Sequence, residues 1–262
     1  MRSLDIAATG MLAQQLNVDV IANNIANTST TGFKMQRTEF EDLLYQTIAK
    51  PGASSSSAGT ITPTGIQLGL GVTAGATYRI NTQGPLRETG NNFDVAISGN
   101  GYFEVQTPDG NTAYTRAGSF QVDGTGQLVT ADGFVVQPGI TIPNNVVSLT
   151  INEDGEVIVT TDAESETTSN LGRISLANFL NPSGLSAAGG NLLFETEASG
   201  APVSGFPGDV GFGTIRHRFL ENSNVDSVKE VTSLITAQRS YELNSRVIST
   251  SDEMLQTISQ LR

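Results

Sequence analysis

Residues 225–261 read VDSVKEVTSLITAQRSYELNSRVISTSDEMLQTISQL. Written at seven-residue intervals, Leu234, Tyr241, Ile248 and Leu255 fall in one column. Ala237 and Ile258 stand three residues beyond members of that column and share its helix face. This is a seam of the coiled-coil kind, interrupted where Asn244 and Ser251 occupy apolar places. Ser227 with Glu230 three residues on reads as a capping box, which marks the helix start. Glu242 and Arg246 stand four apart with the acid first, the favourable order for a helix pair. Neither Gly nor Pro occurs from residue 225 to residue 262. As a single helix the stretch would run about 55 Å at roughly 1.5 Å per residue. A seam of this length requires a partner.

The other chain end offers one. Leu4, Met11, Val18 and Ile25 also repeat at seven, with Ala8, Ile21 and Ala22 beside them. Gln14, Asn17, Asp19, Asn23 and Asn24 make the opposite, polar face. Both ends therefore read as amphipathic helices, expected to pair as a coiled coil. The expected assembly seam is Leu4, Met11, Val18, Ile21 and Ile25 with Leu234, Tyr241, Ile248, Leu255 and Ile258. Pattern alone leaves open the alternative that each stripe packs on its own globular domain.

Between the ends the period changes. Residues 37–48, with Phe40, Leu43 and Leu44 on one side, read as a second, short helix. Residues 51–71 contain Ser54-Ser55-Ser56-Ser57-Ala58-Gly59, with Gly65, Gly69 and Gly71 punctuating the rest, a composition expected to be extended. From 72 to about 219 the period is two. Strands are expected at 94–98, 102–106, 120–122, 134–136, 147–151 and 157–159. Asn100-Gly101, Asp109-Gly110, Asp123-Gly124, Asp132-Gly133 and Asp154-Gly155 punctuate them as turns, many about ten residues apart, as in successive antiparallel hairpins. Residues 181–213 read as long loops around Leu192-Leu193-Phe194. The expected fold is α+β. A helical domain of 1–30 with 225–262 brackets a short helix and extended segment at 31–71 and an all-β antiparallel middle domain at 72–224.

The chain has 262 residues, 26 acidic and 14 basic, for a formal charge of −12. Nucleic acid and anionic membrane surfaces are poor partners for such a balance, since Lys and Arg supply their non-specific affinity. There are no cysteines, hence no disulfide, thiolate metal site or thiol nucleophile. Asp5, Gln14, Gln15, Asn17 and Asp19 break any apolar region of a secretory leader. No run approaches the ~20 apolar residues of a membrane-spanning helix. Any route out of the cytoplasm is expected to need no cleaved leader.

Candidate chemistry is sparse. The sole histidine, His217, lies between Arg216 and Arg218, both of which oppose its protonation. The Asp-Gly pairs fit neither the EF-hand loop nor a nonapeptide repeat. Neither a G-x-S-x-G elbow nor a Walker-type loop is present. Paired carboxylates for glycoside hydrolysis remain open among so many acids, although the chain has no Trp for a sugar platform. No cofactor, metal or catalytic residue is expected. Two helical ends on a β domain without a site read as an assembly subunit, one surface meeting a different surface on the next copy to give an open helical polymer.

Ala22-Asn23-Asn24-Ile25-Ala26-Asn27 with Thr30-Thr31-Gly32-Phe33-Lys34 resembles the N-terminal signature of the bacterial flagellar rod and hook axial proteins. Gln238-Arg239-Ser240-Tyr241-Glu242-Leu243-Asn244-Ser245 and Ser251-Asp252-Glu253-Met254-Leu255-Gln256 resemble that family's closing motif. Residues 94–103 and 114–120 resemble its core strands. The motif residues carried over are Asn23, Asn24, Asn27, Thr31, Gly32, Phe33, Lys34, Gln238, Arg239, Tyr241 and Glu242. Residues 45–72, Asn181-Pro182-Ser183-Gly184-Leu185 with 195–200, and the chain length point to the distal-rod members, with proximal rod and hook proteins as the near alternatives. An acidic carbohydrate-binding or hydrolytic domain is the distant one. One departure stands out: Arg218 occupies a position where the family usually has Gly. The resemblance implies a structural subunit of the periplasm-spanning drive shaft, exported through the flagellum's own secretion channel. Its implied partners are other copies, proximal rod proteins, the hook protein, the P-ring and L-ring proteins and the export apparatus, without nucleic acid or membrane insertion.

Overall fold

The computed structural model describes residues 2–51, 64–143, 145–161 and 168–260. The chain divides into two compact units. One takes Met1–Ile25, Gln36–Tyr78 and Ser227–Arg262, the other Ala26–Met35 and Arg79–Asp226.

The first unit holds α1 (Arg2–Ala26), β1 (Gln36–Asp42), β2 (Tyr45–Ala49), β3 (Ile66–Gly69), β4 (Val72–Arg79) and α2 (Ser227–Gln260). Both chain ends are helical. α2 begins at the Ser227 of the capping signature and has 34 residues, about 51 Å of helix. The expected helix at 37–48 does not form: β1 pairs with β4, and β2 with β3 in the register Tyr45↔Gly69, Gln46↔Leu68 and Thr47↔Gln67. The residues explain it. Thr38 is buried and Phe40 half-buried, while Arg37, Glu39 and Glu41 are exposed, which is period two. The partner strands that settle the choice lie far along the chain, outside any local window. Ser54–57 falls outside the described residues, and the strands flanking it are extended. Residues 72–78 belong to this unit and not to the β-rich middle, which starts at Arg79. Val72 donates its N–H to Thr9 Oγ1 at 3.4 Å, anchoring β4 on α1. Gly71 next to it has φ +126, and a Cβ there would lie 2.2 Å from Thr9 Oγ1.

The second unit is built from β5 (Leu86–Glu88), β6 (Val95–Ser98), β7 (Tyr102–Gln106), β8 (Thr112–Thr115), β9 (Phe120–Val122), β10 (Leu128–Thr130), β11 (Val135–Val136), β12 (Ser148–Ile151), β13 (Glu156–Thr160), β14 (Thr168–Arg173), β15 (Leu176–Asn178), β16 (Ser186–Gly189), β17 (Leu192–Phe194), β18 (Val203–Gly205), β19 (Thr214–His217) and β20 (Phe219–Glu221). Its largest sheet runs β16-β17-β8-β7-β11-β10-β9, with β15 beside β7 and β18 beside β15. A second sheet is β12-β13-β14, and β19 pairs β6, β20 pairs β5. All six strands expected from alternation are present within a residue or two.

Four of the five Asp-Gly or Asn-Gly pairs close hairpins: β7–β8, β9–β10, β10–β11 and β12–β13. In the second of these the left-handed residue is Gly126 and not Gly124. The Asp123 carboxylate accepts the N–H groups of Thr125 and Gln127 at 2.8 Å each, an Asx-type turn that moves the tight point along. Asn100-Gly101 closes no hairpin, because β6 pairs with β19 and not with its neighbour in sequence. Phe103 and Phe120 meet edge to face at 5.0 Å in the core, packed among Val95, Ile97, Val105, Val136, Val157, Val159, Ile174, Leu176 and Ile215. Each such side chain contributes about 1.5–3 kcal/mol by leaving water.

Candidate assembly surface

The terminal helices carry the surface, and their residues fall on it unevenly. Of the expected seam, Ile21 is buried. Leu4, Met11, Val18, Ile25, Leu234 and Ile248 are half-buried, and Tyr241 and Leu255 are 43% and 38% exposed. Ile258 lies in α2, with its side chain outside the described set. The most buried positions of α1 are Ala7, Ala13, Val20, Ile21 and Asn24. Asn24 is thus inside, although the sequence put it on the polar face. Those of α2 are Glu230, Ala237 and Ser251.

Contacts between the helices are made by small and polar side chains. Asn24 Nδ2 donates to Glu230 Oε2 at 3.1 Å, and the Ser3 and Ser251 hydroxyls lie 3.4 Å apart. Gly10 sits so close to Asn244 that an added Cβ would be 2.8 Å from Nδ2. Reasoning from apolar residues missed the members of these three pairings. Their own seven-residue spacing was the available signal. Beside them a groove of about 450 Å³ is lined by Gln15 and Val18 of α1 and by Gln238, Tyr241 and Glu242 of α2, three of which are motif residues.

α2 has a second apolar face. Val228, Val231, Ile235, Leu243, Val247 and Met254 are all exposed, Val228 by 74% and Leu243 by 60%. At about 100° per residue Val228, Val231, Ile235 and Leu243 lie on the side away from Glu230 and Ala237, whereas Val247 and Met254, four residues before and three after Ser251, flank the face that carries Ser251. On α1, Leu12 and Leu16 are exposed four residues apart. The β2–β3 ribbon adds Tyr45, Ile48, Ile66 and Leu68, again exposed. A two-stranded ribbon with so little cover is marginal in water unless packed against something.

The motif residues divide between display and support. Asn23, Gln238, Arg239, Tyr241 and Glu242 are exposed. Asn24 supports: its Oδ1 accepts the Gln36 N–H at 2.9 Å and its Nδ2 donates to the Gln36 carbonyl at 2.8 Å. One side-chain amide thus mimics a strand partner at the start of β1 while also holding α2. Asn27 Oδ1 accepts the Thr30 hydroxyl at 3.0 Å. The Thr31 carbonyl accepts from Asn191 Nδ2 at 3.3 Å, and the Phe33 carbonyl from the Asn224 N–H at 3.4 Å. Gly32 has φ +69 and donates its N–H to the Glu221 carbonyl at 2.8 Å. A Cβ at that point would meet Ala117 N at 2.8 Å, so Gly is required.

Lys34 ends in a buried ion triad. Its Nζ lies 2.6 Å from Glu221 Oε1, and Arg116 Nε lies 2.6 Å from Oε2. Gly84 donates its N–H to the same carboxylate at 2.9 Å. Lys34 also donates to the Thr82 carbonyl at 2.9 Å, and Arg116 to the carbonyls of Gly101, Ile97 and Gly99. Burial pushes the Glu221 carboxyl up, but Arg116 and Lys34 together outweigh it and hold the group below its ordinary value of 4.5. His217 is drawn down from 6.5, chiefly by burial and further by Arg218, while the Asn92 carbonyl at 2.8 Å opposes. Arg218 itself has φ +62. The position where the resemblance expected Gly is a left-handed one.

Among the described residues no group of three or more His, Cys, Asp or Glu is placed to hold a metal, and no helix is long and apolar enough to cross a membrane. Three family models match in chain order. Residues 4–34 match the flagella basal body rod protein family, 96–159 the flagellar hook protein FlgE/F/G D1 domain, and 216–261 the flagellar basal body rod FlgEFG protein C-terminal family. The chain is 56% identical to the flagellar basal-body rod protein FlgG of Caulobacter vibrioides over the full length of both. It is 51% identical to that of Agrobacterium fabrum over 99% of each chain. With the FlgG of Borreliella burgdorferi it shares 47%, over all of this chain and 99% of the other. Similarity of this degree from end to end shows that the chain belongs to the FlgG family of flagellar basal-body rod proteins.

Proposed function

We propose that this chain is a structural subunit of the distal rod, polymerising into a helical, tubular shaft that carries rotation from motor to hook. The observation that carries the reading is the exposed apolar outer face of α2. One face meets α1 through Glu230, Asn244 and Ser251, and the opposite one presents Val231, Ile235 and Leu243 to solvent. A single α1 covers one face, so the second is free to meet a neighbouring copy. A contact between unlike surfaces repeats without closing, which is how an open helix grows. Within a subunit, α1 and α2 pair as a coiled coil, and the expected seam residues left half-buried, Leu4, Met11, Val18 and Leu234 among them, complete their burial in the polymer.

The same reading extends to partners and place. Proximal rod proteins adjoin one end of the shaft and the hook protein the other. P-ring and L-ring proteins surround it, and the flagellar export apparatus delivers the subunits across the periplasm-spanning structure. Residues 46–71, whose described part is the exposed β2–β3 ribbon, order against neighbouring copies and hold the shaft straight. The distal-rod assignment over the proximal-rod and hook alternatives is supported by the 56% identity with a full-length FlgG, against 30% with the flagellar hook-basal body complex protein FlhP of Bacillus subtilis. The carbohydrate-active alternative has no support in a family of rod proteins.

Sedimentation of the full chain over a concentration series tests this. The unaltered chain is expected to form polymers. Ile235→Lys with Leu243→Lys, both on the face turned away from α1, is expected to leave a folded monomer that does not sediment. Equal polymerisation of the double variant would exclude the outer α2 face as the contact.

A further inference from the structure

We propose that a column of small and polar residues, and not the apolar column beside it, sets the register of the two terminal helices; this rests on the reading that α1 and α2 pair. Ser3, Gly10, Asn17 and Asn24 are spaced by seven along α1, and Glu230, Ala237, Asn244 and Ser251 by seven along α2. The contacts run in strict antiparallel order. Ser3 meets Ser251, seven residues forward Gly10 meets Asn244, and fourteen further Asn24 meets Glu230 fourteen back. The same step places Asn17 opposite Ala237, which is 2% exposed.

The apolar column cannot choose this register. Leu4, Met11, Val18 and Ile25 against Leu234, Tyr241, Ile248 and Leu255 offer similar burial after a slip of one heptad in either direction. The polar column does discriminate. In the observed register Glu230 accepts from Asn24. Asn244 packs on Gly10, where an added Cβ would lie 2.8 Å from its Nδ2. A slipped pair would set Asn244 against Asn17 or Ser3 and leave the Glu230 carboxylate facing Asn17 or no helix at all. Polar residues at seam positions fix register in this way at some cost in stability. For a subunit that must pair its own ends among many identical neighbours, that specificity is the gain.

The chain has no cysteine, so an engineered pair reports cleanly. Asn17→Cys with Ala237→Cys in the full chain, dilute and after polymerisation, is expected to form an intrachain disulfide. Adding Gly10→Ala is expected to slow it by roughly ten-fold or more, through overpacking against Asn244, without lowering helicity, since Ala favours helix over Gly. Adding Asn244→Ala as well is expected to restore it. Leu4→Ala or Met11→Ala is expected to leave it within about two-fold, because neither changes the polar column. If the disulfide forms but ignores Gly10→Ala, or Asn244→Ala fails to rescue it, the polar column does not set register although the helices pair. If it forms in neither state, the pairing itself is wrong and the register proposal falls with it.

Discussion

At the scale of single residues, two positions carry measurable consequences. Arg218 adopts φ +62 between β19 and β20, with its N–H on the Asp94 carbonyl at 2.8 Å and its carbonyl accepting from Thr89 at 2.7 Å. A side chain in the left-handed region costs about 1–2 kcal/mol. Arg218→Gly is therefore expected to raise stability by about 1 kcal/mol, read as a higher urea midpoint with an unchanged slope. A fall in the midpoint would show that the guanidinium contributes more than the backbone costs. Glu221 is the second. Glu221→Gln leaves Lys34 and Arg116 buried without their carboxylate, and breaking such a group costs about 3–5 kcal/mol. The pH dependence has a definite sign. The folded carboxyl titrates below 4.5, so its stabilisation is complete above that value and is lost as pH falls through the lower, folded one. The difference in urea midpoint between the unaltered chain and the Gln variant should be constant at neutral pH and shrink below about pH 4.5. A difference that does not change with acidity would mean the carboxyl titrates alike in both states. None of this was visible in sequence. Lys34, Arg116 and Glu221 each stood in a recognisable stretch, but residues so far apart declare a partnership only once folded.

At the scale of elements, sequence patterns read best where the partner is near. The hairpins of the β-rich unit follow from alternation broken by Asp-Gly pairs, and both terminal helices follow from heptads without Gly or Pro. β1 and β2 read as helix because Phe40, Leu43 and Leu44 mimic a helical stripe and the strands that claim them come later. Both terminal helices were legible from their heptads, while the small and polar residues that meet between them were not. Leucine columns drew attention, while Gly10, Asn24, Glu230 and Asn244, the residues in contact, look like interruptions. The β2–β3 ribbon supplies a prediction at this scale. Ile48→Ser with Leu68→Ser removes two exposed apolar side chains and should leave the thermal midpoint of the free subunit unchanged. Polymers of that variant are expected to curve or fragment when imaged, whereas equally straight polymers would remove the ribbon from the account of stiffness.

At the scale of the molecule, the two units interleave along the chain, each drawing on residues from near both ends. β4 alternates in sequence as the middle strands do, while its pairing with β1 and the Thr9 contact bind it to the helical unit. The ion triad has a consequence for timing. Lys34 and Glu221 are 187 residues apart in sequence, and closing so long a loop is slow relative to forming a hairpin. A chain that emerges one end first, from whatever pore, brings out most of its hairpins before the last member of the triad. Until residue 221 arrives, Lys34 and Arg116 have no buried counter-charge, and the β unit stays open at its seam. Completion is thus tied to the appearance of nearly the whole polypeptide, so the fold carries its own clock against closing early.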